Sequence, residues 1–559
     1  MLVIAALIFA TAVTWHWAHV QRDTRTAETI VAEYLLVAGI SVLALSLLSK
    51  FRGALTAVRI SRWTLDVSGS AALAVSIWLL GMRQFGGFDH SELIQAGWLQ
   101  FSSLAPFKDY PCTLPPLFFI GARYAFLVFG LRWSACVLSM MVFAVASFLF
   151  LSRQLRMLGF SSSEAAGLSI TAELGTTVVC SFWWYNPVTS VAAVMVFVSA
   201  LVCSVRSKDW ISWALLSLSF TLLVLCKPNA WPIGACVTLL VATRDASQRI
   251  RALCALVFGV TSAGLICRLH GLSPMDVLRT YSEVARTRGN PLLSIVLRDW
   301  APVEAQILVS SALVIGCLFF AILAANKDEL HKYWREYSCC VITACTALAL
   351  FNMNGEIKTS DLTPLVVALA VAAFRPWSRR CFDGIGRAAT VIVSVCFITL
   401  SSYWGVTRLR VRGAGERMFF ENFATQTIPT GFFRGLHSGP RLPRALSQIE
   451  GVLRKYPSNK VFFGPRMEFS YAVFRREPPR GLPIWWDPGT SFALSDLPAV
   501  SHSLEVDDFD LMIFLKNDCT RMPGAALLRK LRSYDHDVEF SELDVYIRRK
   551  GPGSADTLQ

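Results

Sequence analysis

The chain has 559 residues, of which 54% are hydrophobic and only 16% charged, with a mean hydropathy of +0.48. Soluble globular chains carry about 25% charged residues, so this deficit calls for an apolar solvent and excludes an ordinary soluble enzyme. The net charge of +14 does not point to nucleic acid, because many basic residues lie in short clusters between apolar blocks, where they orient a membrane protein.

From the N-terminus, apolar blocks fall at 1–19, 29–49, 66–84, 133–151, 163–182, 187–205, 210–226, 231–243, 253–268, 303–324, 337–352, 361–374 and 388–406. They predict a polytopic α-helical membrane protein with about 13 transmembrane helices. The first block has no small-x-small cleavage site before a polar start and reads as a retained span. Basic clusters occupy every second loop, at Lys50/Arg52/Arg59/Arg62, Arg153/Arg156, Arg206/Lys208, Arg244/Arg249/Arg251, Lys327/Lys332/Arg335 and Arg375/Arg379/Arg380/Arg387. Placing those loops in the cytoplasm makes the N-terminus cytoplasmic and the C-terminal part extracytoplasmic. The stretch 117–131 is apolar enough to enter the membrane. Arg123 and Arg132 interrupt or flank it, so it reads as a juxtamembrane or half-inserted helix.

After Arg408 the sequence becomes mixed and charged. Lys460–Phe463 and Asp510–Leu515 read as strands, Gly524–Leu531 as a helix and Leu543–Arg548 as a final strand, an order that suggests a soluble α/β domain with a parallel sheet. The expected division is therefore 1–65 for two additional N-terminal spans and a cytoplasmic loop, 66–406 for the transmembrane core with a first outer loop at 85–132, and 407–559 for the outer domain. Most of the 15 cysteines lie in apolar blocks, as small hydrophobes. No cysteine or histidine spacing suggests zinc.

Charged residues at the mouth of a membrane bundle are functional candidates, because burying them is costly. The first outer loop opens with Asp89-His90-Ser91-Glu92 directly after a span, and continues through Trp98, Phe101 and Phe107, which suit a helix in the interface plane. Asp89 reads either as a catalytic carboxylate or as the N-cap of a helix beginning at His90. Further on come Ala105-Pro106-Phe107-Lys108-Asp109-Tyr110 and Pro115-Pro116-Leu117.

This order of motifs resembles the GT-C glycosyltransferase superfamily, in particular the branch with protein O-mannosyltransferases and lipid A aminoarabinose transferase. Asp89 matches the acidic motif of that family's first outer loop, and the segment from Ala105 to Leu117 matches its second motif. The resemblance covers about residues 66 to 406 and implies a GT-C-like fold and a polyprenyl-phosphate-linked sugar as donor. It implies an acceptor on the outer face, which can be lipid, polysaccharide or protein. One departure is Asn186 in Trp183-Trp184-Tyr185-Asn186-Pro187, where relatives carry a second carboxylate; asparagine cannot take up a proton, which leaves any firm metal site in doubt.

Sugar transfer from such a donor needs a base, cations for the departing phosphate and an apolar groove. Asp89 is the candidate base. Lys227, Arg268 and Lys358 are candidates for the donor phosphate, with Lys227 read equally as a snorkelling interfacial lysine. His90, Glu92, Lys108, Asp109, Asn186, Glu356 and Asp361 are candidates to contact the acceptor or support the others; Glu356 reads better as part of a hairpin turn with one ion pair. Trp183, Trp184, Trp485 and Trp486 are candidates to stack on sugars, the first pair reading equally as an interfacial belt. No cofactor is indicated, though a divalent cation has a place in such chemistry. The competing reading is a non-enzymatic transport or export component for lipid-linked sugars. The outer loops hold no Asn-x-Ser/Thr acceptor, which favours a bacterial inner membrane.

Overall fold

The computed structural model describes residues 61–287, 327–354, 359–374 and 426–549, apart from positions 84, 88, 179, 228, 229, 245, 459, 490 and 517–521. The expected spans at 1–19, 29–49, 303–324 and 388–406 lie outside the described residues.

The helices follow the apolar pattern. In chain order they are α1 (Arg62–Gly81), α2 (Asp89–Phe101), α3 (Pro116–Phe129), α4 (Trp133–Met157), α5 (Ser162–Gly175), α6 (Tyr185–Val205), α7 (Trp210–Cys226), α8 (Trp231–Val241), α9 (Ala246–Leu269), α10 (Pro274–Thr287), α11 (Lys327–Asn354) and α12 (Thr363–Phe374). Local chemistry sets their ends. Pro115-Pro116 starts α3, since proline suits the first turn. Ser161 and Glu164 form a reciprocal capping box on α5, and Asp209 accepts the Ile211 N–H at the start of α7. Among the described residues four helices, α1, α4, α6 and α9, are long and apolar enough to cross a membrane.

The chain divides into two compact units. The first holds residues 1–80, 140–265 and 290–407. Its centre is α6, whose apolar window is 94% buried, whereas the windows of α1 and α9 are 33% and 28% buried and present apolar side chains outward. Helices α7, α8, α11 and α12 enclose α6. A buried ion pair joins α1 to α4: Nη1 and Nη2 of Arg156 donate to Asp66, at 2.9 and 3.1 Å, and Ser152 Oγ donates to the same carboxylate at 3.3 Å. Arg156 therefore neutralises a buried carboxylate in addition to any topological role.

The second unit holds residues 81–139, 266–289 and 408–559, so the first loop groups with the C-terminal part of the chain. Beyond the short antiparallel pair of β1 (Gln426–Thr427) and β2 (His437–Ser438), its later elements are α13 (Arg441–Lys455), β3 (Val461–Phe463), α14 (Phe469–Val473), α15 (Leu497–Val506), β4 (Leu511–Leu515), α16 (Gly524–Leu531), β5 (Tyr534–Asp537) and β6 (Leu543–Arg548). The sheet order is β3-β4-β6-β5. Only β3 and β4 run parallel, with Val461 opposite Leu511; β6 is antiparallel to both β4 and β5. The expectation of a parallel sheet is corrected by β5, whose Tyr-Asp-His-Asp sequence lacks the apolar alternation of a strand. Its short connection to β6 permits only an antiparallel hairpin. Phe462, Trp486, Phe492, Leu504 and Met512 form the core beneath this sheet.

Helices α2 and α3 pack through Gly97, where an added Cβ would lie 2.6 Å from Phe126 Cε2. Gly97→Val should therefore overpack this seam and cost about 1–3 kcal/mol, lowering the thermal midpoint of the purified protein in detergent. Gly264→Ala on α9, where nothing lies within 4 Å of the new carbon, should not lower it.

Candidate active site

Asp89 is the first residue of α2 and is half-buried, with Glu92 in the same turn. Carboxylates are favoured at this end of a helix by the exposed backbone N–H groups. The helix starts one residue earlier than a cap at Asp89 would require.

What surrounds this first turn is an aromatic frame within the second unit. The His90 ring is 5.5 Å from Trp133 and 5.7 Å from Phe85; Phe85 in turn meets Trp133 at 5.4 Å, Phe433 at 4.5 Å and Phe469 at 5.3 Å. Edge-on contacts of this kind add to the apolar area they bury. Polar groups in the frame are satisfied locally. The Gly86 N–H donates to His90 Nδ1 at 3.2 Å, leaving Nε2 as the donor of a neutral ring. Trp133 Nε1 donates to the Gly81 carbonyl at 3.0 Å, and the Trp133 backbone N–H to that of Phe432 at 3.0 Å. Ser91 Oγ donates to Glu468 at 2.8 Å and accepts the Phe469 N–H at 3.1 Å.

Helix α2 does not lie free in the interface plane, as Trp98, Phe101 and Phe107 suggest. Ten of its thirteen residues are buried, because α3 packs on one side and α14 on another. Trp98 Nε1 donates to the Arg476 carbonyl at 2.9 Å, and Phe107 falls outside the helix in a turn with a φ of 70°. Glu92 and His90 are buried at 2% and 3% exposure. Asp109 closes the following loop: its carboxylate accepts the Ala105 N–H at 2.7 Å, and its carbonyl accepts the Gly481 N–H at 2.7 Å. Lys108 beside it is exposed. Arg268 is exposed after the long apolar run of α9, and burial together with the Arg123 guanidinium holds the neighbouring His270 below the usual imidazole range.

The first unit gathers a separate polar set. Helices α6 and α7 are antiparallel neighbours, which brings Tyr185 and Asn186 to the same end as Lys227. The Lys227 ammonium lies 5.3 Å from the Tyr185 ring centroid, a cation–π contact, and the residue is only 7% exposed. Lys227 is thus enclosed by protein. Asn186 is buried, and its Oδ1 has no hydrogen-bond partner among the described residues. Asp361 is buried in the 3-10 turn Thr359–Leu362, which packs on α5, α6, α11 and α12. Glu356 and Lys358 lie outside the described residues.

Three of the four tryptophan candidates, Trp183, Trp184 and Trp486, are buried. Trp486 is a core residue of the C-terminal α/β part, 6.1 Å from Phe462, and cannot stack on a sugar. Trp183 and Trp184 are buried at 7% and 5% exposure, packed on Phe143 and on Phe182 and Tyr185, which rules out an exposed interfacial belt. Two further carboxylates join the buried polar groups without having stood out in the motif pattern. Glu173 on α5 is fully buried and accepts from Ser147 at 2.6 Å and Thr177 at 2.9 Å. A lone acid inside an apolar block is the signal that could have found it. Glu468 carries no such signal, since it follows a strand in charged sequence. Among the described residues no group of three His, Cys, Asp or Glu side chains could hold a metal ion.

These features define a helical integral membrane protein whose first loop is clasped by its C-terminal α/β part. No protein-family model matches the chain, and no curated protein matches it in sequence. Among solved structures it is similar to the crystal structure of ArnT from Cupriavidus metallidurans bound to undecaprenyl phosphate, at 12% identity and a TM-score of 0.46, over 86% of this chain and 97% of that one.

Asp109→Ala should open the Ala105–Asp109 loop and cost about 1–2 kcal/mol, read as a lower thermal midpoint. Lys108→Ala should leave the midpoint unchanged.

Proposed function

We propose that the protein is a GT-C-type membrane glycosyltransferase that moves a sugar from a polyprenyl phosphate to an acceptor on the extracytoplasmic side of a bacterial inner membrane. The observation that carries this reading is Asp89 itself: a half-buried carboxylate in the first turn of α2, close after the apolar helix α1, with its neighbour His90 packed in the Phe85 and Trp133 frame. A general base must hold a set direction while keeping access to an acceptor hydroxyl. Asp89 removes that proton as the hydroxyl oxygen attacks the anomeric carbon. The bond from that carbon to the phosphate oxygen breaks on the opposite face, which inverts the configuration.

Lys227, Arg268 and Lys358 are the chain's candidates for the positive charge that offsets the departing phosphate. The low exposure of Lys227 supports this role, because an ammonium enclosed by apolar helices acts with little screening. Asn186 offers an acceptor oxygen with no partner among the described residues, suited to a sugar hydroxyl. His90, Glu92 and Asp109 act by positioning α2 and its following loop rather than by reaching substrate.

The test is transfer of a labelled sugar from polyprenyl phosphate in reconstituted membranes. Asp89→Asn should lower the rate by about 100-fold or more without changing donor binding. Lys227→Ala should chiefly weaken the donor. Transfer that survives Asp89→Asn removes Asp89 as the base, and carrier translocation without transfer by the unaltered protein marks a transporter instead.

A further inference from the structure

The far end of α2 from Asp89, about 18 Å along the helix, carries a second constellation. The chain turns tightly there: the Ser102 N–H donates to the Trp98 carbonyl at 2.8 Å, and the Leu104 N–H to that of Leu99 at 2.9 Å. Residues 474–481 of the same unit are tied to this end. The Trp98 indole donates to the Arg476 carbonyl at 2.9 Å, the Gly481 N–H donates to the Asp109 carbonyl at 2.7 Å, and Arg480 pairs with the Asp109 carboxylate at 3.9 Å. Ser103, Phe107 and Arg475 in these two segments hold left-handed backbone, with φ of 63°, 70° and 51°. Residues other than glycine rarely adopt it, and such positions gather where a fold fixes a binding surface.

The two segments display one aromatic ring among cations. Trp98 and Phe101 stack at 5.7 Å with 14° between their planes, and Phe101 is 43% exposed. No other large apolar side chain is exposed across 98–110 and 474–481. Lys108, Arg475 and Arg480 are exposed in the same segments. Neither Lys108 nor Arg475 has an ion-pair partner among the described residues. Glu477 is the one exposed acid there, since Asp109 is half-buried and occupied by the Ala105 N–H and Arg480.

We propose that this surface is a subsite for an acidic glycan chain. Joined to the transferase reading, on which this extension rests, it makes the acceptor a polymer that reaches along α2 from Phe101 to Asp89. A ring held by the Trp98 stack offers its face to the C–H groups of a pyranose. The arginine forks and the Lys108 ammonium suit carboxylate or phosphate on the same chain, whereas a neutral glycan leaves them unmatched. Ser102 and Ser103 add hydroxyls beside the ring. A bilayer fits this surface poorly, because a single ring bordered by charge and hydroxyls lacks the apolar face that an interfacial helix buries. With ten of its thirteen residues buried, α2 holds the two ends at a set distance.

The experiment measures binding of fluorescently labelled hexagalacturonate, a carboxylate glycan, and of phosphorylated maltohexaose to the full chain in detergent, with plain maltohexaose as the neutral control. At least one acidic hexamer should bind about ten-fold or more tightly than plain maltohexaose, and the tighter of the two identifies the anionic group. Phe101→Ser, and separately Lys108→Glu combined with Arg475→Glu, should each weaken that binding about ten-fold. Arg454→Glu, an exposed charge reversal on α13, should not. The Lys108 and Arg475 pair lies on the surface and carries the comparison if Phe101→Ser does not fold. Acidic hexamers that bind no better than the neutral one overturn the proposal, as does an equal loss with Arg454→Glu. So does a benzoylphenylalanine at position 101 that crosslinks to phospholipid in phosphatidylglycerol nanodiscs, which marks a membrane contact. Specific binding by a chain that transfers no sugar keeps the subsite and removes the transferase reading instead.

Discussion

The hydrogen bond from Ser91 to Glu468, set in the aromatic frame of Phe85, His90, Trp133, Phe433 and Phe469, joins residues 377 positions apart. Everything about the first turn of α2 depends on it. A loop after a membrane helix has no orientation of its own, and an isolated thirteen-residue helix is marginal in water. Packing from α3 and α14 gives α2 a single position and thereby places the backbone of Asp89. The frame is costly to perturb, since Ser91 and Glu468 are both buried and loss of either leaves the other poorly solvated.

The membrane part meets the opposite problem, polar groups in an apolar bundle, and solves it in different ways. Asp66 is matched by a bidentate arginine and a serine. Glu173 receives two hydroxyls from α4 and from its own helix's end. Lys227 lies against the face of Tyr185. The first two arrangements are saturated and read as structural. Asn186 differs, because its buried carbonyl oxygen finds no partner among the described residues, and an unmet acceptor is suited to a ligand.

Much of the helical architecture is legible in the amino-acid sequence. Periodicity and basic loops locate α1, α6 and α7 to within four residues at each end and α4 and α9 to within seven, because a transmembrane helix is specified mainly by local composition. The strands β3, β4 and β6 are legible for a similar reason. Strand β5 is not, since Tyr534–Asp537 owes its conformation to pairing with β6 and not to its own residues. Trp486 passes for a sugar-stacking residue because a Trp-Trp pair in a loop carries no sign of which ring turns inward. In the sequence Asp109 and Glu92 read as residues that contact the acceptor or support others, without a sign of which; the partners that hold Asp109, Ala105 and Gly481, have no common motif.

The sequence by itself determined that the chain enters a membrane, where its helices fall, and that an acidic turn follows one of them, because hydropathy and capping act over a few neighbouring residues. Only the tertiary structure decided which polar residues are enclosed and that the C-terminal part clasps α2. Those outcomes depend on contacts between segments hundreds of residues apart, and burial is a property of the assembled chain that no local pattern encodes.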